Sequence, residues 1–324
     1  MKVKINICPV ELITFFITML LLIGCSDDLV QPEESGSLKL ISTTSAGLAY
    51  GVFVENNLAF ITNNDGLLIL NITDRNRPQN IGSIGLGTTF GVTINNGLAY
   101  TVGNSGISVI DINEPSNPAK LGSLNLQGTG HRIVVSDSLA YIASSIGLEI
   151  VNITNPSNPK KMGTYNSGGN PYGVVYYEDI VYLADGVKSL LVIDVADPSH
   201  PQKLRSVSGT QNAWDVHIYE ESLYLACHNS GIKVLSISNK QSPQIIGSYN
   251  DGDGGEALGI WGDDENIFVA DNFSVEMINI NDPSNPKEVG TVANLNGAHD
   301  IYVAGSYVYV AEGKQGLMVL KWMP

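Results

Sequence analysis

The chain has 324 residues, of which 43% are apolar, and a formal net charge of -15 from 32 acidic and 17 basic side chains. This length suits one or two domains, and the apolar fraction is ordinary for a folded protein. The sequence excludes a nucleic-acid-binding protein, because its few Lys and Arg residues form no basic cluster. We interpret the acidity as a means of staying soluble in an exposed environment.

Residues 1–24 have the features of a signal peptide. Lys2 and Lys4 precede an apolar run from Leu12 to Gly24, LITFFITMLLLIG, which is too short to span a bilayer comfortably. The run ends in Leu-Ile-Gly-Cys, which resembles the lipobox of bacterial lipoproteins. By that resemblance Cys25 carries a lipid that anchors the protein to a membrane. The alternative is an ordinary secretory signal in which this cysteine has no role.

Residues 25–37 predict a flexible tether, because SDDLVQPEESGS is too polar to bury enough apolar surface for order. Acidic residues directly behind a lipidated cysteine also resemble the export signal of some surface-displayed lipoproteins. We therefore expect a cell-envelope protein that is lipid-anchored in the outer membrane and exposed at the surface. With Cys8 in the signal and Cys25 in the anchor, Cys227 has no partner for an internal disulfide.

From residue 38 the sequence repeats itself. A short apolar stretch ends in an aromatic residue seven times, at spacings of 40 to 44 residues. A regular period of this size indicates a repeat architecture. The seven aromatic residues are Phe60, Tyr100, Tyr141, Tyr182, Tyr224, Phe268 and Tyr309.

Each copy contains four short runs that are typical of strands. In the second copy they are GVTIN, LAYTV, GISVIDI and KLGSL. The runs are rich in β-branched and aromatic residues and are separated by Gly, Asn and Pro. Pro115 and Pro118 fall between strands, where no ladder N–H is needed. Four antiparallel strands in about 41 residues match the size of a propeller blade.

The two ends of the repeat region predict how the ring closes. The seventh copy stops after its third strand, GLMVLKW, whereas an extra strand, SLKLIST from Ser37 to Thr43, precedes the first copy. Pairing these two segments would complete the last blade and cover an exposed edge. Residues 38–324 number 287, which is seven times 41. We therefore predict an all-β, seven-bladed β-propeller with four antiparallel strands per blade, the last blade closed by the N-terminal strand.

The third run of each copy carries a family resemblance. LLVID at Leu190 to Asp194, its variants VIDI, EIVNI and MINI, and the following DPSNP resemble the LVIVD-repeat family of bacterial surface and secreted proteins. The resemblance covers the whole of residues 38–324. It implies a β-propeller and brings no catalytic residues with it, because most members lack an assigned activity. The fifth copy, KVLSISNKQSP, departs most from the pattern.

In a propeller the first strand of each blade lies innermost, beside a central channel. Each position of that strand therefore occurs seven times in a ring around the channel. At the start of the first strand, the first column consists of Tyr50, Phe90, His131, Tyr172, Trp214, Leu258 and His299. The next position, the second column, consists of Gly51, Gly91, Arg132, Gly173, Asp215, Gly259 and Asp300. Glycine suits a crowded inner rim. Two interpretations of the three charged residues stay open. Either the two aspartates cap turns at the strand entry and Arg132 is solvated at the rim, or all three belong to a polar cluster at the channel mouth.

A polar cluster would form a ligand site of His131, Arg132, Trp214, Asp215, His299 and Asp300, because pockets combine apolar walls with a few convergent polar groups. The leading hypothesis is a non-catalytic cell-envelope binding module that presents a rigid face to a glycan or protein partner. One alternative is a secreted polysaccharide-acting hydrolase or lyase, with Asp215, His299 and Asp300 as catalytic candidates. Another is a structural envelope protein.

The segment DGDGGE is the weak candidate for a metal site. Asp251, Asp253 and Glu256 lie in a loop on the same face as the channel mouth, and calcium prefers oxygen ligands from acidic turns. The segment lacks the flanking helices and the twelfth-position glutamate of a calcium loop. We interpret it as a solvated glycine-rich turn and expect no cofactor.

Overall fold

The computed structural model describes residues 37–250, 252, 254–263 and 265–323. All of them belong to one of the two units into which the chain divides, Glu34–Pro324. The predicted signal peptide, the lipid anchor on Cys25 and the tether up to residue 36 lie outside the described residues. Asp251 and Asp253 of the proposed calcium loop do so as well.

The strands of the first three repeats form three four-stranded antiparallel sheets, one per repeat. We call these sheets blades and number them along the chain. In chain order, and from the first to the fourth strand of each blade, they are β2 (Ala49–Glu55), β3 (Leu58–Asn63), β4 (Gly66–Asn71) and β5 (Gln79–Gly85); β6 (Thr89–Asn95), β7 (Leu98–Gly103), β8 (Gly106–Asp111) and β9 (Ala119–Leu124); β10 (Gly130–Ser136), β11 (Leu139–Ser144), β12 (Gly147–Asn152) and β13 (Lys160–Asn166).

Blades 4 to 7 repeat the pattern, and the last one contains the N-terminal strand β1. Their strands are β14 (Pro171–Tyr177), β15 (Ile180–Asp185), β16 (Ser189–Asp194) and β17 (Gln202–Ser206); β18 (Asp215–Tyr219), β19 (Ser222–Ala226), β20 (Ile232–Ser236) and β21 (Gln244–Tyr249); β22 (Ala257–Gly262), β23 (Asn266–Asp271), β24 (Ser274–Asn279) and β25 (Lys287–Ala293); β26 (Ala298–Ala304), β27 (Tyr307–Glu312), β28 (Gly316–Met323) and β1 (Ser37–Thr44).

The ring closes as the sequence predicts. β1 pairs antiparallel with β28, from Ser37 opposite Met323 to Thr44 opposite Leu317. The first strands of neighbouring blades contact each other in turn, and β2 contacts β26, so these strands line the channel. The prediction of a seven-bladed propeller with four antiparallel strands per blade is confirmed.

The hydrophobic core is divided among the blade interfaces. Seven clusters of buried apolar side chains each lie between two neighbouring blades. The repeating aromatic residues belong to these clusters, and Tyr182 and Tyr309 are fully buried. The Tyr182 hydroxyl donates to the Lys240 carbonyl of the next blade at 2.7 Å. The repeated aromatic residue is therefore an inter-blade packing residue.

The repeat motif also joins neighbouring blades at the outer strands. The first proline of an NPSNP-type turn places its carbonyl oxygen against a glycine in the outer strand of the preceding blade. A Cβ on Gly163 would lie 2.1 Å from the Pro198 oxygen, and one on Gly122 would lie 2.4 Å from the Pro156 oxygen. Only glycine allows this approach.

Candidate functional site

The first-column side chains owe their positions to an irregularity at the start of the inner strands. In β2 the ladder passes from Ala49 directly to Gly51, which leaves Tyr50 as a β-bulge. Five other inner strands bulge at the same position. In blade 5, Trp214 directly precedes β18, and its backbone N–H donates to the Ala226 carbonyl of β19 at 2.8 Å. Because a bulge re-aims its side chain, the sequence spacing places these residues at one end of the channel.

Six of these seven side chains are aromatic rings or imidazoles, and they contact one another in order around the channel mouth. The tightest contact joins Tyr172 to Trp214, whose planes lie 10° apart, so Tyr172 covers one face of the indole. Leu258 interrupts the series. The consecutive centroid separations are His299–Tyr50 6.0 Å, Tyr50–Phe90 5.0 Å, Phe90–His131 6.1 Å, His131–Tyr172 4.8 Å and Tyr172–Trp214 3.8 Å.

This ring encloses a cavity of about 360 Å³, which we call the mouth cavity. All seven first-column residues line it, together with Arg132, His228, Glu256 and Asn272. Its size falls in the lower part of the range for small-molecule pockets. Apolar walls with a few polar groups are the usual composition of such pockets.

Arg132 lies beneath the aromatic ring and holds two carboxylates. Its Nη1 lies 2.7 Å from Oδ2 of Asp300, and its Nη2 lies 3.0 Å from Oδ2 of Asp215. The two carboxylate side chains are 7% and 5% exposed, and the arginine side chain is 21% exposed. The second column therefore forms a polar cluster, and the interpretation of Arg132 as a solvated rim residue is wrong.

The cluster also ties the inner strands together. Asp300 accepts from the Val52 N–H at 2.9 Å, and Asp215 accepts from the Ile260 N–H at 3.2 Å. The glycines of the same column give the charged side chains room. A Cβ on Gly173 would lie 2.7 Å from the Cα of Asp215. The predicted crowding of this ring is confirmed.

Burial and mutual proximity set the charges of the cluster. Burial alone would lower the pKa of Arg132, but Asp215 and Asp300 outweigh it and hold the pKa above its ordinary value. Burial raises the pKa of Asp215, against the opposing effect of Arg132. One guanidinium and two carboxylates thus share a site that carries one excess negative charge when both acids are ionised.

Burial favours the neutral form of two of the three histidines that line the mouth, His131 and His299. Burial lowers the pKa of His131, opposed by a hydrogen bond to Pro171. That bond joins Nδ1 to the Pro171 carbonyl oxygen at 2.7 Å. Since a carbonyl only accepts, Nδ1 carries the proton and Nε2 is left as an acceptor. Burial also lowers the pKa of His299, opposed by the nearby acidic side chains of Asp300 and Glu312.

A polar arc fills the side of the mouth where the aromatic series is broken. Nε2 of His228 lies 3.5 Å from Oε1 of Glu256, and Nδ2 of Asn272 donates to Oε2 at 3.3 Å. None of these residues is among those that the repeat columns place at the channel mouth. By its sequence, Glu256 belongs to a possible calcium loop instead. Within the described ranges, no group of three or more His, Cys, Asp and Glu side chains could hold a metal ion.

Buried acids position the loops around the mouth. Oδ1 of Asp185 accepts from the Asn170 N–H at 3.0 Å, and Oδ1 of Asp271 accepts from the Glu256 N–H at 2.8 Å. Each acid ends the second strand of its blade and holds the loop that leads into the first strand. The backbone of Glu256 is therefore held in place by Asp271.

Below the Arg132 cluster the channel continues as a second cavity of about 260 Å³. Asp215, Asp300, His217 and Trp261 line it together with apolar side chains. Neither carboxylate lines the mouth cavity. The cluster is thus a partition across the channel, and the two acids face its lower side.

The sequence profile of the LVIVD repeat matches residues 86–125, 127–167, 168–208, 211–251 and 297–320, which together exceed half of the chain. The chain belongs to the LVIVD repeat family. The fifth copy, which departs most from the pattern by its sequence, lies within the matched stretch 211–251 of this LVIVD-repeat protein. The matched stretches instead leave out all the strands of blade 1 and of blade 6.

Two solved structures share the fold of the LVIVD-repeat protein. A computationally designed protein, Ika8, has a TM-score of 0.65 at 10% identity, over 88% of this chain and 100% of its own. The β-propeller domain of Myceliophteria thermophila Cps50 (Swd1) has a TM-score of 0.72 at 9% identity, over 88% of this chain and 99% of its own. At these identities the likeness concerns the fold alone. No curated protein matches the sequence.

The structure gathers the predicted site residues at two levels of the channel. His131, Trp214 and His299 line the mouth cavity, Arg132 lies at its floor, and Asp215 and Asp300 lie beneath it. Their role in ligand binding stays a prediction. Among the residues that the structure describes, no helix is long and apolar enough to cross a membrane.

Proposed function

We propose that the protein is a non-catalytic binding module of the cell envelope and that the mouth cavity receives a glycan. The observation that carries the proposal is the ring of contacting aromatic side chains around a cavity that also contains a few polar groups. Sugars combine apolar ring faces with hydroxyl groups. The aromatic side chains of the mouth can contact the ring faces, and its polar side chains can form hydrogen bonds with the hydroxyl groups. A propeller of LVIVD repeats is consistent with a binding or interaction module.

The positions of the acids favour binding over hydrolysis. A glycosidase needs two carboxyl groups that flank the scissile bond, one of them free to exchange a proton. Here Asp215 and Asp300 both contact the Arg132 guanidinium, and each also accepts from a backbone N–H. Neither reaches the mouth cavity. The geometry therefore gives no support to Asp215 and Asp300 as the carboxyl pair of a hydrolase that acts in the mouth cavity.

The envelope location is inferred from the apolar run, Cys25 and the acidic residues that follow it. We propose that Cys25 carries the lipid and that residues 26–36 tether the propeller to the outer membrane. Replacing Cys25 with Ser should move the protein from the membrane fraction to the soluble fraction. If the variant stays in the membrane fraction, another part of the chain holds it there.

Binding of the full chain to a glycan array, followed by titration calorimetry of any glycan it retains, tests the function. Trp214→Ala should abolish binding, because it removes a cavity wall and the support of Tyr172. Phe273→Ser serves as the control, since Phe273 is 48% exposed on the mouth side and does not line the cavity. Loss of binding in Phe273→Ser alone would move the site to the loops. A purified chain that binds no glycan on the array would contradict the proposal.

A further inference from the structure

The charges around the mouth cavity are uneven. Arg132 is the only Lys or Arg among the described residues that line it, and its guanidinium already contacts two carboxylates. For a ligand at the floor, the attraction of one cation is balanced by the repulsion of two acids slightly farther away. In the described part of the chain Glu256 contacts no Lys or Arg; its neighbours in the mouth are His228 and Asn272. The carboxylate of Glu256 is therefore the charge that a ligand meets.

The mouth also presents hydrogen-bond acceptors to a ligand. Nε2 of His131 is an acceptor, because Nδ1 is committed to the Pro171 carbonyl. The Glu256 side chain is 39% exposed, so its oxygens retain access to the cavity while Asn272 holds the group in place. A ligand that supplies N–H donors matches both residues.

We propose that the mouth cavity selects a saccharide that carries a protonated primary amine, an amino sugar whose nitrogen is not acetylated. The ammonium group lies at Glu256, and the sugar ring lies against the aromatic side chains. This inference rests on the proposed glycan-binding function and specifies its ligand class. Cations also interact favourably with aromatic side chains, which adds to the preference over a neutral sugar.

Other saccharide classes fit less well. A uronic acid or a sugar phosphate needs a free cation, and the guanidinium of Arg132 is occupied by two buried acids. An N-acetylated amine keeps one N–H donor but loses the charge. A neutral hexose matches the walls and leaves the carboxylate of Glu256 without an opposite charge.

Calorimetric titration of the full chain at pH 6.5 with three hexasaccharides tests the inference. The probes are the fully deacetylated glucosamine hexamer, the N-acetylglucosamine hexamer and maltohexaose. The deacetylated hexamer should bind at least tenfold more tightly than the other two. Glu256→Gln should reduce that preference to about twofold, because the amide keeps the shape and loses the charge.

A polycation also associates with any acidic protein, so a matched control is needed. Glu114→Gln removes one exposed acid from an NPSNP-type turn remote from the mouth and should leave the preference unchanged. An equal loss in both variants would assign the effect to overall charge and overturn the inference. Equal affinity for the three hexamers, lost in Trp214→Ala, would overturn the inference and leave the proposed function intact. If no hexamer binds, the proposed function loses its support as well.

Discussion

Replacing Arg132 with Met should strongly destabilise the propeller. The substitution keeps most of the side-chain volume and removes the cation from Asp215 and Asp300, which it contacts at 3.0 and 2.7 Å. Both acids are more than nine-tenths buried. Removing one partner of a buried ion pair costs about 3–5 kcal/mol, because the remaining charge is left without compensation.

The cost should depend on pH. Without Arg132 the pKa of Asp215, already raised by burial, rises further. A carboxyl group whose pKa is higher in the folded than in the unfolded protein contributes stability below the unfolded pKa, and this contribution is lost as the pH rises through the folded pKa. The destabilisation should therefore be smaller at pH 5 than at pH 8, by about 2 kcal/mol.

Urea denaturation followed by circular dichroism at both pH values measures these differences in the free energy of unfolding. The triple variant Arg132→Met, Asp215→Asn, Asp300→Asn should recover most of the loss at pH 8, since no charge stays buried. Arg77→Met, at an exposed site, should change stability by less than about 0.5 kcal/mol. A loss below about 1 kcal/mol in Arg132→Met at pH 8, or an equal loss at both pH values, would refute the reasoning.

Three further changes test the fold. Gly163→Ala should lower the free energy of unfolding by about 1–3 kcal/mol, because the added Cβ clashes with the Pro198 carbonyl oxygen. Gly85→Ala is the control and should cost less than about 1 kcal/mol, because the nearest atom to its Cβ lies 4.0 Å away. Thermal unfolding of the two variants measures the difference. Burial lowers the pKa of His217 to about 4, so its contribution to stability is complete above pH 6.5 and is lost as the pH falls towards 4. In His217→Phe the free energy of unfolding should therefore fall by about 2 kcal/mol less between pH 6.5 and pH 4 than in the unchanged protein. An equal fall in both proteins contradicts this. Deleting residues 37–44 uncovers the edge of β28, and size-exclusion chromatography should show a larger share of aggregates or dimers than the full chain gives; an unchanged elution profile contradicts this.

The sequence predicts the fold well because its period is strict. Each repeat position returns once per blade, so the aromatic residue of the second strand falls at the blade interface every time. The incomplete seventh copy and the extra strand before the first predict the pairing of β1 with β28. These inferences need only spacing and strand alternation, which are both local properties of the chain.

The candidate site is only partly accessible to the same reasoning. The columns place Arg132, Asp215 and Asp300 on one ring but do not show that one guanidinium spans both acids, because that depends on side-chain reach across the channel. His228, Glu256 and Asn272 come from loops, whose course the repeat does not determine. A weak signal existed for Glu256, because its loop was expected on the same face as the channel mouth.

The joint between β1 and β28 sets the order in which the ring assembles. Every other blade pairs segments that lie within about 40 residues of one another, so each can form while the chain is still emerging. The joint pairs the beginning of the described chain with its end and must wait for the last strand to be synthesised. Because this longest-range contact forms last, we expect blade 7 to be the last blade to fold. We also expect unfolding to start where β1 separates from β28.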